Sequence, residues 1–277
     1  MTVGEKLREA TERLAASSDT PRLDAELLMA HAVGTTRSEL LLRGMNEVLA
    51  SNLDHFDELV ARRVAHEPVA YILGSAEFYG RSYAVSPDVL IPRPDSEALI
   101  EAALERVPKA ERLLDLGTGS GCLLLTAMLE LNAQSGIGID ASEGALSIAR
   151  RNAAKLGVAP ERVQFSLRNW HQPGWSDDLG TFELILCNPP YVEAEAQLDP
   201  DVRDFEPASA LFAGPEGLDD YRAIIPQMRE LLNPEGIAIL EIGHTQADAV
   251  GRLAQAAGFN SEIRHDLAKR PRAVVLW

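Results

Sequence analysis

Cysteine is scarce in this 277-residue chain: there are two, Cys122 and Cys187, with no Cys-x-x-Cys between them. A disulfide framework is excluded, and small buried thiols in a reducing compartment are expected. No run of 18 apolar residues occurs, so no segment is expected to span a membrane. The amino-terminal stretch Thr2-Val-Gly-Glu-Lys-Leu-Arg-Glu9 is charged from the start and lacks a signal-peptide apolar region, which points to the cytoplasm. Basic side chains are also short, 26 against 42 acidic ones, for a net charge of −16. The deficit is spread along the chain, because residues 1–80 alone carry 8 basic and 13 acidic side chains. Stable nucleic-acid binding, which needs Lys and Arg to neutralise phosphates, is therefore not expected. His66, His171, His244 and His265 are scattered without ligand spacing, so no metal site is expected either.

What is present is an ordinary globular balance, 46% hydrophobic and 25% charged, with enough apolar surface for a sizeable core. The length suggests about two domains. The first stretch reads as short helices. Thr2-x-x-Glu5 and Thr36-x-x-Glu39 have the spacing of capping boxes, and Thr20 before Pro21 supplies an N-cap and a first-turn proline. Leu53, Phe56, Leu59, Val60 and Val64 mark a longer helix. From residue 76 the aromatics flanking Gly80 suggest a hairpin, and two prolines in Leu90-Ile-Pro-Arg-Pro94 exclude a helix there. The expected division is a helical domain over 1–75, a hairpin or linker over 76–87, and a second domain over 88–277.

Residues 96–277 alternate between strand and helix patterns. Strands are predicted at Arg112–Leu116, Ile137–Asp140, Val163–Leu167, Leu184–Cys187, Ile237–Ile242 and Ala273–Trp277. Helices are predicted at Ser96–Arg106, Gly121–Leu131, Ser142–Leu156, Leu218–Leu232 and Gln246–Ala257. Such alternation implies a mostly parallel sheet covered on both faces.

Two motifs carry chemistry. In Leu113-Leu-Asp-Leu-Gly117-Thr118-Gly119-Ser120-Gly121 a buried strand runs into a glycine turn that opens a helix. Glycine tolerates positive φ and lets a ligand lie against bare backbone. Asp140, ending the next strand, is placed to hydrogen-bond ribose hydroxyls. The dinucleotide fingerprint wants a third glycine where Cys122 stands, so the spacing favours S-adenosylmethionine over a pyrophosphate cofactor. The second motif is Asn188-Pro189-Pro190-Tyr191, a stiff turn at the carboxyl end of a strand. The Asn188 side-chain oxygen and the Pro189 carbonyl can each accept one N–H of a planar NH₂ group, holding a poor nucleophile in line with a methyl donor. Tyr191 would offer an aromatic wall.

With these motifs on the page, the sequence resembles the HemK/PrmC-type family of class I methyltransferases, the peptide chain release factor N5-glutamine methyltransferases. The resemblance covers nearly the whole chain. It includes Glu67-Pro-Val-Ala-Tyr-Ile-Leu-Gly74, Phe78-Tyr-Gly80, Leu90-Ile-Pro-Arg-Pro-Asp-Ser-Glu97 and Asp115-Leu-Gly-Thr-Gly-Ser-Gly121. Asp140-Ala-Ser142, Ala145-Leu146, Asn152, Asn188-Pro-Pro-Tyr191, Phe205-Glu-Pro-x-x-Ala-Leu211 and Glu241-Ile-Gly243 complete it. Asn-Pro-Pro-Tyr is shared with adenine-N6 methyltransferases; Ile-Pro-Arg-Pro-Asp-Ser-Glu is far more specific.

The resemblance implies an α/β fold of the class I S-adenosylmethionine-dependent type, Rossmann-like, with a seven-stranded, mostly parallel sheet whose last strand is antiparallel, plus a small N-terminal helical domain that docks the protein substrate. It implies methyl transfer from S-adenosyl-L-methionine, leaving S-adenosyl-L-homocysteine, to the glutamine of the Gly-Gly-Gln motif of bacterial class 1 release factors. Gly117, Thr118, Gly119, Ser120 and Gly121 would form the cofactor loop, Asp140 would hold the ribose, and Trp170 would pack near the cofactor. Asn188, Pro189, Pro190 and Tyr191 would hold the substrate amide, with Asn188 also beside the cofactor. Asn169 stands where related sequences have Asp, and Arg93 either lines the entrance or forms a surface ion pair. A monomer is expected. Two rivals remain open at this point: an adenine-N6 methyltransferase acting on nucleic acid, and a non-catalytic S-adenosylmethionine-binding protein.

Overall fold

The computed structural model describes residues 2–42, 50–266 and 268–277; Met1, residues 43–49 and Leu267, and with them part of the expected 1–75 domain, lie outside the described residues. The chain forms two compact units, one of residues 1–75 with 198–205, the other of 76–197 with 206–277.

In the first unit, helices α1 (Val3–Leu14), α2 (Pro21–Ala32), α3 (Arg37–Leu42), α4 (Ala50–Val64) and α5 (Val69–Leu73) bury Leu7, Leu14, Leu28, Met29, Phe56 and Val60. Both capping boxes form. The Glu5 amide donates to Thr2 Oγ1 at 3.2 Å and the Thr2 amide to Glu5 Oε2 at 2.7 Å, and Thr36 and Glu39 repeat the exchange at 3.1 and 3.3 Å. Thr20 differs from expectation: its hydroxyl is drawn to Asp24 Oδ1 at 3.1 Å and caps no amide. Residues 198–205, with the short helix α9 (Pro200–Arg203), group with this unit and not with the 88–277 domain. Buried Arg63 reaches Asp24 Oδ2 at 2.8 Å and Asp201 Oδ2 at 3.4 Å, so the segment supplies a carboxylate to a guanidinium that is removed from solvent.

The second unit opens with a hairpin, β1 (Ser75–Phe78) and β2 (Arg81–Ala84). Its two-residue turn has φ of 49° at Tyr79 and 69° at Gly80, the double positive φ that matches the twist of paired strands. This hairpin packs into the second unit. Phe78 and Tyr83 are buried, the Tyr83 hydroxyl lies 2.7 Å from Thr126 Oγ1, and Ala84 N donates to Asn152 Oδ1 at 2.7 Å.

Strands β3 (Arg112–Leu116), β4 (Ser135–Asp140), β5 (Val163–Leu167), β6 (Phe182–Cys187), β7 (Leu232–Glu241), β8 (Ser261–His265) and β9 (Pro271–Leu276) form a seven-stranded sheet in the order β5-β4-β3-β6-β7-β9-β8. The first five pair in parallel, and β9 runs antiparallel to both β7 and β8. Side chains alternate across it. Leu113, Leu184, Leu186 and Ile239 join a core with α6 (Glu97–Arg106) and α7 (Cys122–Glu130). Leu114, Ile185, Cys187 and Leu240 face the opposite core with α10 (Asp219–Leu231) and α11 (Ala247–Ala256). Helix α8 (Glu143–Lys155) follows β4. The central strands β3 and β6 are largely apolar because both of their faces are covered. Reversal of strand order on either side of β3 opens a crevice at the carboxyl ends of β3 and β6, where such sheets take ligands.

Candidate active site

β3 ends in the glycine turn. Gly117, Gly119 and Gly121 have φ of 73°, 53° and 79°, a left-handed backbone that side chains with Cβ resist. Gly117 N and Thr118 N both donate to Ile139 O at 2.9 Å, tying the turn to β4. A Cβ on Gly117 would lie 3.1 Å from the Trp170 ring, so the indole packs directly on bare backbone. Beneath the turn, Asp115 is buried and accepts from Thr118 Oγ1 at 2.7 Å, while its Oδ1 has no partner among the described residues. Burial pushes this carboxyl up to about 7.

Asp140 closes β4. Its Oδ2 accepts from Gly119 N and its Oδ1 from Ser142 N, each at 2.9 Å. Burial raises its pKa, with the backbone donors from Gly119, Ser142 and Ala141 pulling the other way. Each oxygen keeps a further lone pair for a ligand.

These groups line a cavity of about 450 Å³, within the ordinary range for small-molecule sites. Among the expected residues, Gly117, Thr118, Gly119, Ser120, Asp140, Trp170, Asn188 and Pro190 line it, as do Asn169 and Arg93. Gly121, Pro189 and Tyr191 do not. Gly121 serves the start of α7, packed against Leu125 and Ala149. Half-buried Tyr191 donates its hydroxyl to Glu241 Oε1 at 3.0 Å, which fixes the direction of its ring. Asn169 Oδ1 accepts from His171 N at 2.9 Å, so part of its acceptor capacity is spent on its own turn. Arg93 is both a lining residue and an ion-pair partner, its guanidinium held by buried Glu206.

Three contributors were not read from the sequence. Asp220, at the start of α10, accepts from Trp170 Nε1 at 2.7 Å, its Oδ1 lies 2.9 Å from His171 Nε2, and it lines the cavity. Its only sequence signal was an acidic pair opening a helix. Ser96 lines the cavity and donates to Glu241 Oε2, and Asn188 Nδ2 donates to Ser96 Oγ at 3.5 Å. Glu241 is 1% exposed, and burial raises its pKa. Both residues sit in motifs that the resemblance quoted without a role.

Residues 5–74 match the PrmC N-terminal domain, and residues 108–267 match a methyltransferase domain. The chain is 40% identical over 280 residues to a release factor glutamine methyltransferase of Koribacter versatilis, covering 99% of this chain and 98% of that one. It is 42% identical to another of Nitratidesulfovibrio vulgaris, over 97% and 92% of the two chains. The chain belongs to the release factor glutamine methyltransferase family. Among solved structures, the hMettl16 catalytic domain in complex with the MAT2A 3'UTR hairpin 6 is similar at a TM-score of 0.55 and 15% identity, over 79% of this chain and 81% of that one, a likeness of fold alone.

Methyltransferases of this family draw on S-adenosylmethionine, and the cavity fits it. Val89, Leu90, Leu123 and Phe212 supply apolar walls, the Asp140 carboxylate supplies acceptors for a diol, and the Gly117–Gly119 backbone leaves room for close approach. Among the described residues no group of His, Cys, Asp and Glu could hold a metal ion, and no helix is long and apolar enough to cross a membrane.

Proposed function

We propose that this protein transfers a methyl group from S-adenosyl-L-methionine to the side-chain amide nitrogen of the glutamine in the Gly-Gly-Gln motif of bacterial class 1 release factors. The observation that carries the reading is the position of Asn188. It stands at the carboxyl end of β6 on the wall of the same cavity as Asp140 and the glycine turn. S-adenosylmethionine, when bound, supplies an electrophilic methyl carbon on a sulfonium and leaves as S-adenosyl-L-homocysteine.

The chain's own residues supply position and polarity. Asp140 accepts from the ribose hydroxyls, and the Trp170 indole, pinned by Asp220, closes the side of the site over Gly117. Asn188 Oδ1 accepts one N–H of the substrate amide and the Pro189 carbonyl the other. Two fixed acceptors orient the nitrogen lone pair and stabilise the positive charge that grows on nitrogen as it is methylated. The proton is shed only after that charge has developed, so no strong base is required at the start. Pro189 and Pro190 hold the acceptors rigid. The helical unit docks the release factor and contributes no chemistry. The protein works as a cytoplasmic monomer without metal, membrane or stable nucleic-acid contact, in keeping with its net charge of −16.

The test is incubation with labelled S-adenosylmethionine and a release factor, its Gln-to-Ala variant in Gly-Gly-Gln, or duplex DNA. Label is expected on the first alone. Label on DNA, or on the Gln-to-Ala variant, overturns the reading.

A further inference from the structure

Asn188 is useful only one way round. Its amide has an oxygen at one end and an NH₂ at the other, and catalysis as read above needs the oxygen toward the substrate. Nothing in the Asn-Pro-Pro-Tyr turn itself tells the two ends apart. The neighbours do. Buried Glu241, at the end of β7, accepts the Ser96 hydroxyl at Oε2 and the Tyr191 hydroxyl at Oε1. A carboxylate can only accept, so the single Ser96 proton is committed to it. The lone pairs left on Ser96 Oγ can only accept in turn, and the group facing them is Asn188 Nδ2 at 3.5 Å. Asn188 Oδ1 meets no protein donor among the described residues. The Asn188–Ser96 bond is long, as hydrogen bonds in a site without substrate commonly are before they tighten.

We infer that Ser96 and Glu241 are positioning residues that set the polarity of the Asn188 amide: Glu241 aligns the Ser96 hydroxyl, and Ser96 holds the Asn188 nitrogen, leaving its oxygen for the substrate N–H. The chain of command joins three stretches far apart in sequence, the turn before α6, the end of β6 and the end of β7. Tyr191 belongs to the same device. Its hydroxyl occupies the second Glu241 oxygen, and Tyr221 donates to the Glu241 carbonyl at 2.7 Å, which holds the carboxylate where Ser96 can reach it. Without Glu241, buried Ser96 could turn its proton toward Asn188 and donate to the amide oxygen in the flipped orientation. This inference rests on the reading of Asn188 given above.

Single-turnover methylation of release factor by the full chain tests it, with saturating substrates so that the chemical step is read. Ser96→Ala is expected to lower the rate roughly tenfold, the effect of one lost hydrogen bond, while the KM for release factor and the Kd for S-adenosylmethionine stay within about twofold. Ser96→Thr keeps the hydroxyl and is expected to restore the rate. Glu241→Gln offers Ser96 an amide that can donate as well as accept, so it too should slow the reaction, with no added loss in the Ser96→Ala background. The deciding comparison is Ser96→Ala made in an Asn188→Ala enzyme. With no amide left to orient, it should change the rate by less than about twofold. If Ser96→Ala costs the same factor in both backgrounds, or costs nothing in either, the inference is overturned while the reading of Asn188 stands. If Asn188→Ala alone stays within a few-fold of the unaltered enzyme, the reading of the turn falls and this inference with it. Should Glu241→Gln fail to fold, the Ser96 and Asn188 variants decide the matter alone.

Discussion

Removing the Asp140 carboxylate is the most direct probe of cofactor binding. In the folded protein each oxygen already accepts one backbone N–H, from Gly119 and Ser142 at 2.9 Å, so the carboxylate is fixed before any ligand arrives. A ribose diol would add two hydrogen bonds to a charged acceptor that needs no reorganisation. Each hydrogen bond to a charged group is worth about 1.5–3 kcal/mol net, so losing both should weaken binding by roughly 10²–10⁴-fold. Asp140→Asn is the gentler change, but its NH₂ must confront either the Gly119 or the Ser142 amide, and some of the loss will come from the glycine turn. Calorimetry with S-adenosylhomocysteine and its 2′,3′-dideoxy analogue separates the two effects. The unaltered protein should discriminate strongly between the ligands and the Asp140→Asn protein hardly at all. Because burial holds this carboxyl above its ordinary value, affinity should begin to fall, as pH is lowered, at a higher pH than a solvent-exposed aspartate would give. Equal discrimination by both proteins would refute the placement of the ribose.

Asn188→Ala should lower kcat by ~10²–10³ with affinity for S-adenosylmethionine retained, measured in single turnovers with saturating release factor. Asp115 should make stability depend on pH. Its folded pKa of about 7 lies above the unfolded value, so the folded state binds more protons between about 4 and 7, and stability is present below that window and lost as pH rises through it, by on the order of 4 kcal/mol. Urea unfolding across that range should show the decline in the unaltered protein and a flatter profile in Asp115→Asn; parallel profiles would contradict the assignment. A fragment beginning at Ala76 should bind S-adenosylmethionine yet methylate release factor poorly, whereas one beginning at Val85 loses buried Phe78 and Tyr83 and should melt earlier by calorimetry.

The central strands were legible because strands covered on both faces are largely apolar, as in Leu184–Cys187 and, apart from Asp115, Leu113–Leu116. β8 was missed. It is an edge strand, Ser-Glu-Ile-Arg-His, whose Glu262 and Arg264 serve ion pairs with Arg106 at 2.6 Å and Glu105 at 3.0 Å and show no apolar run. β7 was predicted from Ile237, but it starts at Leu232, which pairs with Phe182 of β6 ahead of a register shift; Asn233-Pro-Glu-Gly236 lies in that irregularity and reads locally as a turn. The glycine turn, Asp140 and Asn188 could be read because each lies in a contiguous motif. Asp220, Ser96 and Glu241 could not, since what matters in each is a partner supplied by another element. Tyr191 shows the same limit: its ring chemistry was evident, but its direction is decided by a carboxylate 50 residues further on.

The first unit is assembled from two separated stretches of chain, and this gives its formation a timetable. Arg63 and Asp24 are both made early, but Asp201 follows Arg63 by 138 residues. At typical synthesis speeds of 5–20 residues per second, the ribosome takes roughly 7–28 s to supply that second carboxylate. Through that interval the helical unit emerges with its buried guanidinium only half paired. It reaches its final form only after β3, β4, β5 and β6 have all been synthesised, so its completion falls in the middle of the second unit's own translation.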